Sequence, residues 1–308
     1  MLVGPGTLAT CRTAGQIAKP DQKRRLNQVP YKDPKFVFLF LSWPFSLFLE
    51  SMSFRPTVTL WYIVAAPFVT LAALLDGRLE GLWVLFFSHL ALTLTTIVPT
   101  FQGFGPVFTR FSTGRREVWL TIDDGPDPET TPRILKLLDQ FGAKATFFLI
   151  GQKASQWPAL VQQILASGHS IGNHTHSHPV FQFWRFTPKQ IHREIAGFER
   201  VARAHGLPVP VLFRPPAGMK NPFVHPIVAS HGLWVIGWNA RAFDTRTMSS
   251  DRIVGRIVKA AATGSIILLH EGSPVALAAL SKLLDSLAGS GIQCVIPKLQ
   301  ELRTNAVD

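Results

Sequence analysis

The pattern of apolar and polar positions divides the chain into two parts. Residues 57–75 and 82–98 form two long runs without a charged side chain, and a short polar link joins them. From residue 117 onward, short apolar runs alternate with amphipathic ones. The first pattern predicts a pair of apolar helices, and the second predicts alternating strands and helices.

The alternation after residue 117 indicates a parallel α/β sheet or barrel, because strands separated by helices pair in parallel. Several of the predicted helices begin near Pro or Ser, which suit a first turn or a cap. The predicted strands are 118–122, 145–150, 170–172, 211–213, 233–237, 265–270 and 293–296. The predicted helices are 128–141, 158–167, 188–204, 222–231, 250–262 and 275–288.

Residues 57–98 predict a transmembrane helical hairpin. Each uncharged run can cross about 30 Å of hydrocarbon as a helix, the second only barely. Trp61, Tyr62 and Trp83 lie near the ends of the runs, as interfacial anchors do, and Pro67 is expected to kink the first helix. The alternative is a pair of buried core helices.

The domain boundaries follow from these patterns. Residues 1–56 form a basic region that is expected to be disordered; alternatively, translation begins at Met52 and residues 1–51 are not part of the protein. Residues 99–116 form a linker to the domain at 117–308. We expect a multi-pass protein of a bacterial inner membrane. If the chain has two spans, the domain at 117–308 is expected on the cytoplasmic face of the membrane. If residues 36–49 form a third span, the domain is expected on the opposite face.

Charge and cysteine content exclude some classes of protein. The net charge is +12, with 12 basic against 5 acidic residues before position 117. The basic residues form no stripe with interleaved aromatic side chains, so we expect no nucleic-acid partner. Cys11 and Cys294 are the two cysteines and lie at opposite ends of the chain, which excludes a disulfide framework.

The chemically interesting side chains follow the predicted strands. Functional residues of a parallel barrel lie at the carboxyl ends of its strands. The residues in such positions are Asp123 and Asp124 after the first strand, His174 and His178 after the third, Arg214 after the fourth, Asp244 after the fifth and His270 at the end of the sixth.

Asp124, His174 and His178 together predict a metal site. The two histidines are four residues apart, which places both on one side of a helical turn. Two imidazoles and one carboxylate leave open coordination positions, and zinc is the first expectation. Asp123 is then free to act as the general base on a water activated by the ion, although it could instead cap the following helix.

Arg214 and His270 are weaker candidates when considered alone. Arg214 could pair with Asp123 and keep it ionised, or it could be an ordinary surface residue before two prolines. His270 ends the apolar run at 266–269, where a single histidine is usually part of the core. Because His270 occurs together with the predicted metal ligands Asp124, His174 and His178, it becomes a candidate general acid.

Four segments in this order resemble the polysaccharide deacetylases of the NodB-homology type, carbohydrate esterase family four. They are Thr-Ile-Asp-Asp-Gly at 121–125, His-Thr-x-x-His at 174–178, Arg-Pro-Pro-x-Gly at 214–218 and Leu-x-His at 268–270. The resemblance covers nearly all of the chain after residue 117. It implies a distorted (β/α)7-type barrel, a metal ion that is usually zinc, and hydrolysis of an N-acyl group from an amino sugar.

The resemblance also implies a role for each matching residue. Asp123 is the base, Asp124, His174 and His178 are the metal ligands, His270 is the acid, and Arg214 orients Asp123. The backbone N–H of Ala217 would hold the carbonyl oxygen, and Leu268 would line the pocket for the acyl methyl group.

The chain departs from the family pattern at a few positions. The family carries an aromatic residue where this chain has Ala217, and it usually has an Asp-Trp pair where this chain has Asp244 and Thr245. Asp244 can still support the catalytic histidine. The lost aromatic side chains put the usual polymer-binding groove in doubt more than the catalysis.

Three functions follow as hypotheses. The first is a membrane-anchored, metal-dependent hydrolase that removes N-acetyl groups from an amino sugar of a polysaccharide or glycoconjugate. The second keeps the hydrolysis but acts on a polyprenyl-linked amino sugar, including removal of a formyl group. The third is an inactive carbohydrate-binding barrel. The sequence leaves the oligomeric state open.

Overall fold

The computed structural model describes residues 58–244, 249–273 and 275–304, with side chains from residue 64 onward. The basic region predicted at 1–56 and the departure from the family pattern at Thr245 lie outside the described residues.

The strands and helices alternate as the sequence pattern predicts. The strands are β1 (Phe108–Phe111), β2 (Glu117–Gly125), β3 (Ala145–Leu149), β4 (Ser170–Asn173), β5 (Leu212–Phe213), β6 (Trp234–Val235), β7 (Ala240–Arg241), β8 (Ile266–His270), β9 (Gln293–Cys294) and β10 (Leu302–Thr304). The helices are α1 (Val58–Leu75), α2 (Gly81–Ile97), α3 (Thr131–Gln140), α4 (Gly151–Gln156), α5 (Pro158–Ala166), α6 (Pro188–Ala204), α7 (Val224–Ser230), α8 (Ser250–Ala260) and α9 (Ala276–Gly289). Short 3-10 turns occupy Phe183–Arg185, Pro216–Gly218 and Leu299–Glu301.

Seven of the strands form one curled parallel sheet in the order β6-β5-β4-β3-β2-β8-β7, and β9 pairs with the start of β2. β1 and β10 form a separate antiparallel pair. β1 lies beside the gap between β6 and β7, where the N–H of Gly237 donates to the carbonyl of Phe108 at 2.8 Å. The fold is therefore a curled parallel half-barrel, consistent with the distorted (β/α)7 barrel that the sequence implies.

The sheet is buried on both faces, which explains its long apolar runs. Alternate residues of β2 point in opposite directions. Val118, Leu120 and Ile122 belong to the cluster beneath the outer helices, whereas Trp119 belongs to the interior cluster with Phe148, Trp238 and Leu268. By the same alternation Thr121 and Asp123 face the interior. The strand pattern thus places Asp123 inside the half-barrel.

α1 and α2 form an antiparallel pair, and the Thr70 hydroxyl donates to the carbonyl of Gly81 at 2.9 Å. Within the described part of the chain, no helix is long and apolar enough to cross a membrane. The expected transmembrane hairpin is therefore not supported. α2 has 17 residues, fewer than the roughly 20 that a span requires.

The stretch at 99–116, expected to be a linker, is packed against the half-barrel. It contains β1, and Phe104, Val107 and Phe111 within it are buried. The hydrophobic pattern did not predict β1 because polar residues interrupt this short strand. The stretch fixes the end of α2 beside the sheet.

Candidate functional site

The two neighbouring aspartates at the end of β2 take different directions. Asp123 continues the strand, pairs in register with His270 and is 2% exposed. Asp124 adopts the left-handed region with φ 75°, and the pairing of β2 with β3 shifts its register there. Such a conformation is uncommon for a residue other than glycine, and its strain is typical of a functional position. The turn sends the two carboxylates to separate partners.

Asp124 meets two imidazoles at the rim of the half-barrel. Its Oδ1 lies 3.1 Å from His178 Nε2 and 3.4 Å from His174 Nε2. One ligand atom from each of the three residues lies within 4.8 Å of the others. The same Oδ1 is buried and has no hydrogen-bond partner among the described residues. A buried oxygen without a donor fits a bound cation, so the three side chains can hold a divalent ion.

The histidines converge by a different route from the one predicted. Residues 174–178 form a loop after β4 and not a helical turn, so the expectation of a helical spacing is wrong. Thr175 and His178 adopt left-handed conformations with φ 68° and φ 55°, and the two imidazole centres lie 4.8 Å apart. Loop geometry therefore brings together the ligands that helical periodicity was expected to align.

The electrostatics of the triad suit metal binding. Burial alone would raise the pKa of Asp124, but His174 and His178 outweigh it and lower that pKa well below its usual range. Burial also lowers the pKa of His178 to about 4. His174 Nδ1 lies 2.7 Å from the carbonyl of Arg214, so this nitrogen donates and Nε2 faces Asp124. Neutral imidazoles and an ionised carboxylate are the forms that bind a metal.

Arg214 is a buried partner of Asp123 and not a surface residue. Its Nη1 donates to Asp123 Oδ1 at 2.6 Å and to Thr121 Oγ1 at 2.9 Å. Its remaining nitrogens donate to the carbonyls of Ile236 and Gly237. Asp123 Oδ2 is left 3.7 Å from His174 Nε2, facing the triad. The carboxylate is thus held on one side and available on the other.

Asp123 does not cap the following helix. Asp127 takes that place, because its Oδ1 accepts from the N–H groups of Glu129 at 3.0 Å and Thr130 at 2.8 Å just before α3. The alternative structural role for Asp123 is therefore wrong.

His270 and Asp244 form a second ionisable pair beside the first. Asp244 Oδ1 lies 2.7 Å from His270 Nδ1, and its Oδ2 accepts from the N–H of His270 at 2.7 Å. Burial alone would lower the pKa of His270, but the hydrogen bond and negative charge of Asp244 outweigh it and raise that pKa. Asp244 therefore favours the protonated imidazole.

Ala217 occupies the 3-10 turn after β5 in a left-handed conformation with φ 51°. The N–H groups of Gly218 and Met219 donate to the carbonyls of Pro215 and Pro216. The N–H of Ala217 has no such backbone partner within the described ranges. Leu268 is 1% exposed in the interior cluster and lies next to Arg241 of β7 in register.

A polar pocket of about 520 Å³ opens beside the triad. It is lined by Asp124, Ile150, Gln152, Lys153, Gln156, Ser177, His178, Glu271 and Gly272. The sequence pattern did not single out Lys153, whose Nζ donates to the carbonyl of Asp124 at 2.7 Å. Nor did it single out Glu271, whose pKa burial raises to about 7. Glu271 directly follows the end of β8, and that signal could have identified it, whereas Lys153 lies within α4, four residues beyond the end of β3.

Fold and site together define a class of protein, the parallel α/β half-barrels with a two-histidine, one-carboxylate triad at the carboxyl ends of the strands. The family model for polysaccharide deacetylase matches residues 111–236. A chitooligosaccharide deacetylase of Bradyrhizobium sp. is 35% identical over 185 residues, which cover 59% of this chain and 81% of that protein. A peptidoglycan-N-acetylglucosamine deacetylase of Bacillus cereus is 37% identical over 187 residues, which cover 57% of this chain and 84% of that protein.

Solved structures agree with these relatives. A family 4 carbohydrate esterase from Streptomyces lividans, solved in complex with acetate, aligns with a TM-score of 0.57 at 33% identity. The alignment covers 63% of this chain and 99% of that one. The chain belongs to the polysaccharide deacetylase family, the NodB-homology proteins of carbohydrate esterase family four. It is a hydrolase of carbon–nitrogen bonds other than peptide bonds, of the carbohydrate N-deacetylase class.

Proposed function

We propose that the chain removes N-acetyl groups from an amino sugar of a polysaccharide or glycoconjugate with the help of a divalent ion, zinc in the first instance. The observation that carries the proposal is the division of the two aspartates. Asp124 joins His174 and His178, while Asp123 joins Arg214 and faces the triad with its free oxygen. This arrangement supplies an ion site and a separate base within one small volume.

The donor set suits zinc because two imidazoles and one carboxylate leave a position open for water and substrate. When bound, such an ion lowers the pKa of a water and polarises a carbonyl group. Asp123 takes the proton of the attacking water on its Oδ2. Arg214 donates to Asp123 Oδ1 and so fixes the direction of the carboxylate.

His270 supplies the proton that the departing amine needs. Its Nδ1 is held by Asp244, so Nε2 is the nitrogen that carries the proton to the substrate. Asp244 raises the pKa of His270 and so favours the protonated form that can donate. Asp123 and His270 are register partners on neighbouring strands, which supports their proposed roles as base and acid toward one reacting carbon.

The N–H of Ala217 is proposed to donate to the carbonyl oxygen as negative charge develops on it. A main-chain donor needs no particular side chain, so alanine can take a position that is aromatic elsewhere in the family. Leu268 is proposed to contact the acyl methyl group. Leu268 is 1% exposed and does not line the 520 Å³ pocket, so the proposed contact is with a methyl group that reaches the interior side of the site.

Polymers of N-acetylglucosamine are the substrate class that the relatives favour, since the two described above are named for chitooligosaccharide and peptidoglycan. The test is acetate release by the purified protein from chitin fragments and from peptidoglycan, with and without a chelator. We expect release that chelation abolishes and zinc restores. No release from any N-acetylated sugar, with intact folding and bound metal, would contradict the proposal and favour an inactive barrel.

A lipid-linked amino sugar is a second candidate, favoured by the exposed apolar side chains of the α1–α2 pair. Phe68 is 72% exposed, Leu75 is 82% exposed and Trp83 is 62% exposed, and such a surface suits a bilayer. We propose membrane association on this ground, with the domain on a side that the sequence leaves open. Flotation of the full chain with anionic vesicles tests it. Formate or acetate release from a polyprenyl-linked sugar but not from soluble chitin fragments would favour this candidate.

A further inference from the structure

Lys220 is a buried cation that the proposed chemistry does not use. It is fully buried, and its Nζ donates to three main-chain carbonyls. The acceptors are Pro99 at 2.5 Å, Gly218 at 3.1 Å and Val98 at 3.4 Å. An ammonium group has three protons, so the three carbonyls match its donors.

The carbonyls that Lys220 binds belong to two separate parts of the molecule. Val98 and Pro99 follow the end of α2, whereas Gly218 belongs to the turn that carries Ala217. The N–H of Lys220 donates to the carbonyl of Thr96 at 3.1 Å, which adds a backbone contact between the same two segments. Lys220 therefore ties the end of the α1–α2 pair to the Ala217 turn.

The packing at this junction is close. Gly218 has a φ of 72°, and a Cβ placed on it would lie 2.5 Å from Pro99 Cβ and 2.8 Å from Trp238 Cη2. Pro99 thus rests on the backbone of the turn itself. A movement of the α2 end would move the turn with it.

The Ala217 turn needs such support because its conformation is unfavourable. Ala217 has φ 51° and ψ 12°, a left-handed conformation that costs about 1 kcal/mol or more for a residue with a Cβ. Strain of this kind persists where surrounding contacts hold the backbone in place. The contacts from Lys220 and Pro99 lie one to three residues from Ala217 in the turn.

We propose that Lys220 is a positioning residue for the oxyanion donor, and that through it the end of α2 forms part of the catalytic apparatus. The inference rests on the proposed role of the Ala217 N–H. Burial lowers the pKa of Lys220 to about 7, and the three carbonyl acceptors oppose that effect because they stabilise the ammonium form. His225, also buried, is the neighbouring ionisable group and its pKa is lowered to about 3 by burial and by Lys220.

The test compares Lys220→Met with Lys220→Gln in the full, metal-loaded chain. Methionine keeps the length of the side chain but removes all donors, whereas glutamine keeps a donor for one of the carbonyls. We expect Lys220→Met to lower kcat about 10- to 100-fold with KM changed less than about threefold, because a misplaced oxyanion donor acts on the transition state. Lys220→Gln should recover part of kcat.

A tetrahedral analogue separates positioning from simple loss of stability. The inhibition constant of a methylphosphonamidate analogue of the N-acetyl group should rise by about the same factor as kcat/KM falls. Glu199→Gln is the matched control, because Glu199 is a buried ionisable residue that binds His231 away from the site. We expect that control to lower Tm and leave kcat unchanged.

An unchanged kcat in Lys220→Met, with only a lower Tm, would overturn the proposal and make Lys220 a structural tie. If Lys220→Met does not fold, Lys220→Gln decides by the same measurements. Asp123→Asn, measured in parallel, distinguishes a failure of the proposed mechanism from a failure of the proposed role of Lys220. Turnover retained by Asp123→Asn would contradict the proposed mechanism, whereas turnover lost there and kept in both Lys220 variants would contradict this inference alone.

Discussion

Adjacent residues in this site have separate partners because the backbone turns between them. Asp123 lies on the regular strand and shares the buried interior with Arg214, while Asp124 takes a left-handed conformation and turns to the histidines. Asp244, in contrast, contacts a single partner with both of its carboxylate oxygens, the backbone N–H and the imidazole of His270. At the scale of single residues, the backbone conformation determines the direction of each side chain and therefore its partner.

Replacing Asp244 by asparagine should shift the pH profile of the enzyme. In the proposed mechanism His270 must be protonated to donate to the amine, and Asp244 raises its pKa, so activity should persist until the pH rises through that raised value. Asparagine removes the negative charge and lowers the pKa. The alkaline limb of kcat/KM should therefore move to lower pH by about one unit or more.

Asp251→Asn is the control for this pH profile, because Asp251 is an exposed carboxylate paired with Lys282 on the helical side. It removes the same charge from the molecule without touching His270. An unmoved alkaline limb in Asp244→Asn would mean that His270 is not the acid.

At the scale of elements, the hydrophobic pattern was a reliable guide to the strands and a poor one to the loops. All seven predicted strands are present, because a sheet buried on both faces requires continuous apolar runs. β1, β7 and β10 were not predicted because each contains an arginine and therefore forms no continuous apolar run. The α4 helix, which carries Lys153, was missed because six residues give too short a period to detect.

The candidate site was also predictable only in part. Ordered motifs at strand ends identified the side chains that the structure brings together. The left-handed turns at Asp124, His178 and Ala217 were not predictable, since nothing in those residue types demands a positive φ. The contact of the α2 end with the Ala217 turn depends on tertiary packing and leaves no local signal.

Two glycine substitutions test that contact between elements. Gly218 and Gly232 both have a positive φ, but a Cβ on Gly232 would meet nothing within 4 Å. Gly232→Ala should cost about 1 kcal/mol of unfolding free energy and leave kcat unchanged. Gly218→Ala should cost more and lower kcat, because its Cβ collides with Pro99.

Denaturant unfolding and initial rates of acetate release measure both effects. Equal destabilisation by the two alanines, with kcat unchanged in each, would show that the α2 end does not constrain the turn.

For the whole molecule, an ion at the triad should link catalysis to stability. Asp124 lies on β2, and His174 and His178 follow β4, so bound metal holds separate strands of the half-barrel together. A ligand that binds only the folded chain stabilises it by about 3 kcal/mol at one hundred times its dissociation constant. Chelation should therefore lower Tm by several degrees, and zinc should restore both Tm and activity. A Tm that does not respond to chelation, in a sample shown to lose metal, would contradict this linkage.

The central claim is that Asp123 is the base and Asp124 is the ligand. It is tested most directly by measuring bound metal and acetate release for Asp123→Asn beside His174→Ala. We predict that Asp123→Asn keeps about one metal ion per chain and loses turnover by at least about 100-fold, because a general base contributes at least that much. His174→Ala should lose metal and turnover together. Equal loss of metal in the two variants, or turnover retained by Asp123→Asn, would contradict the division of roles.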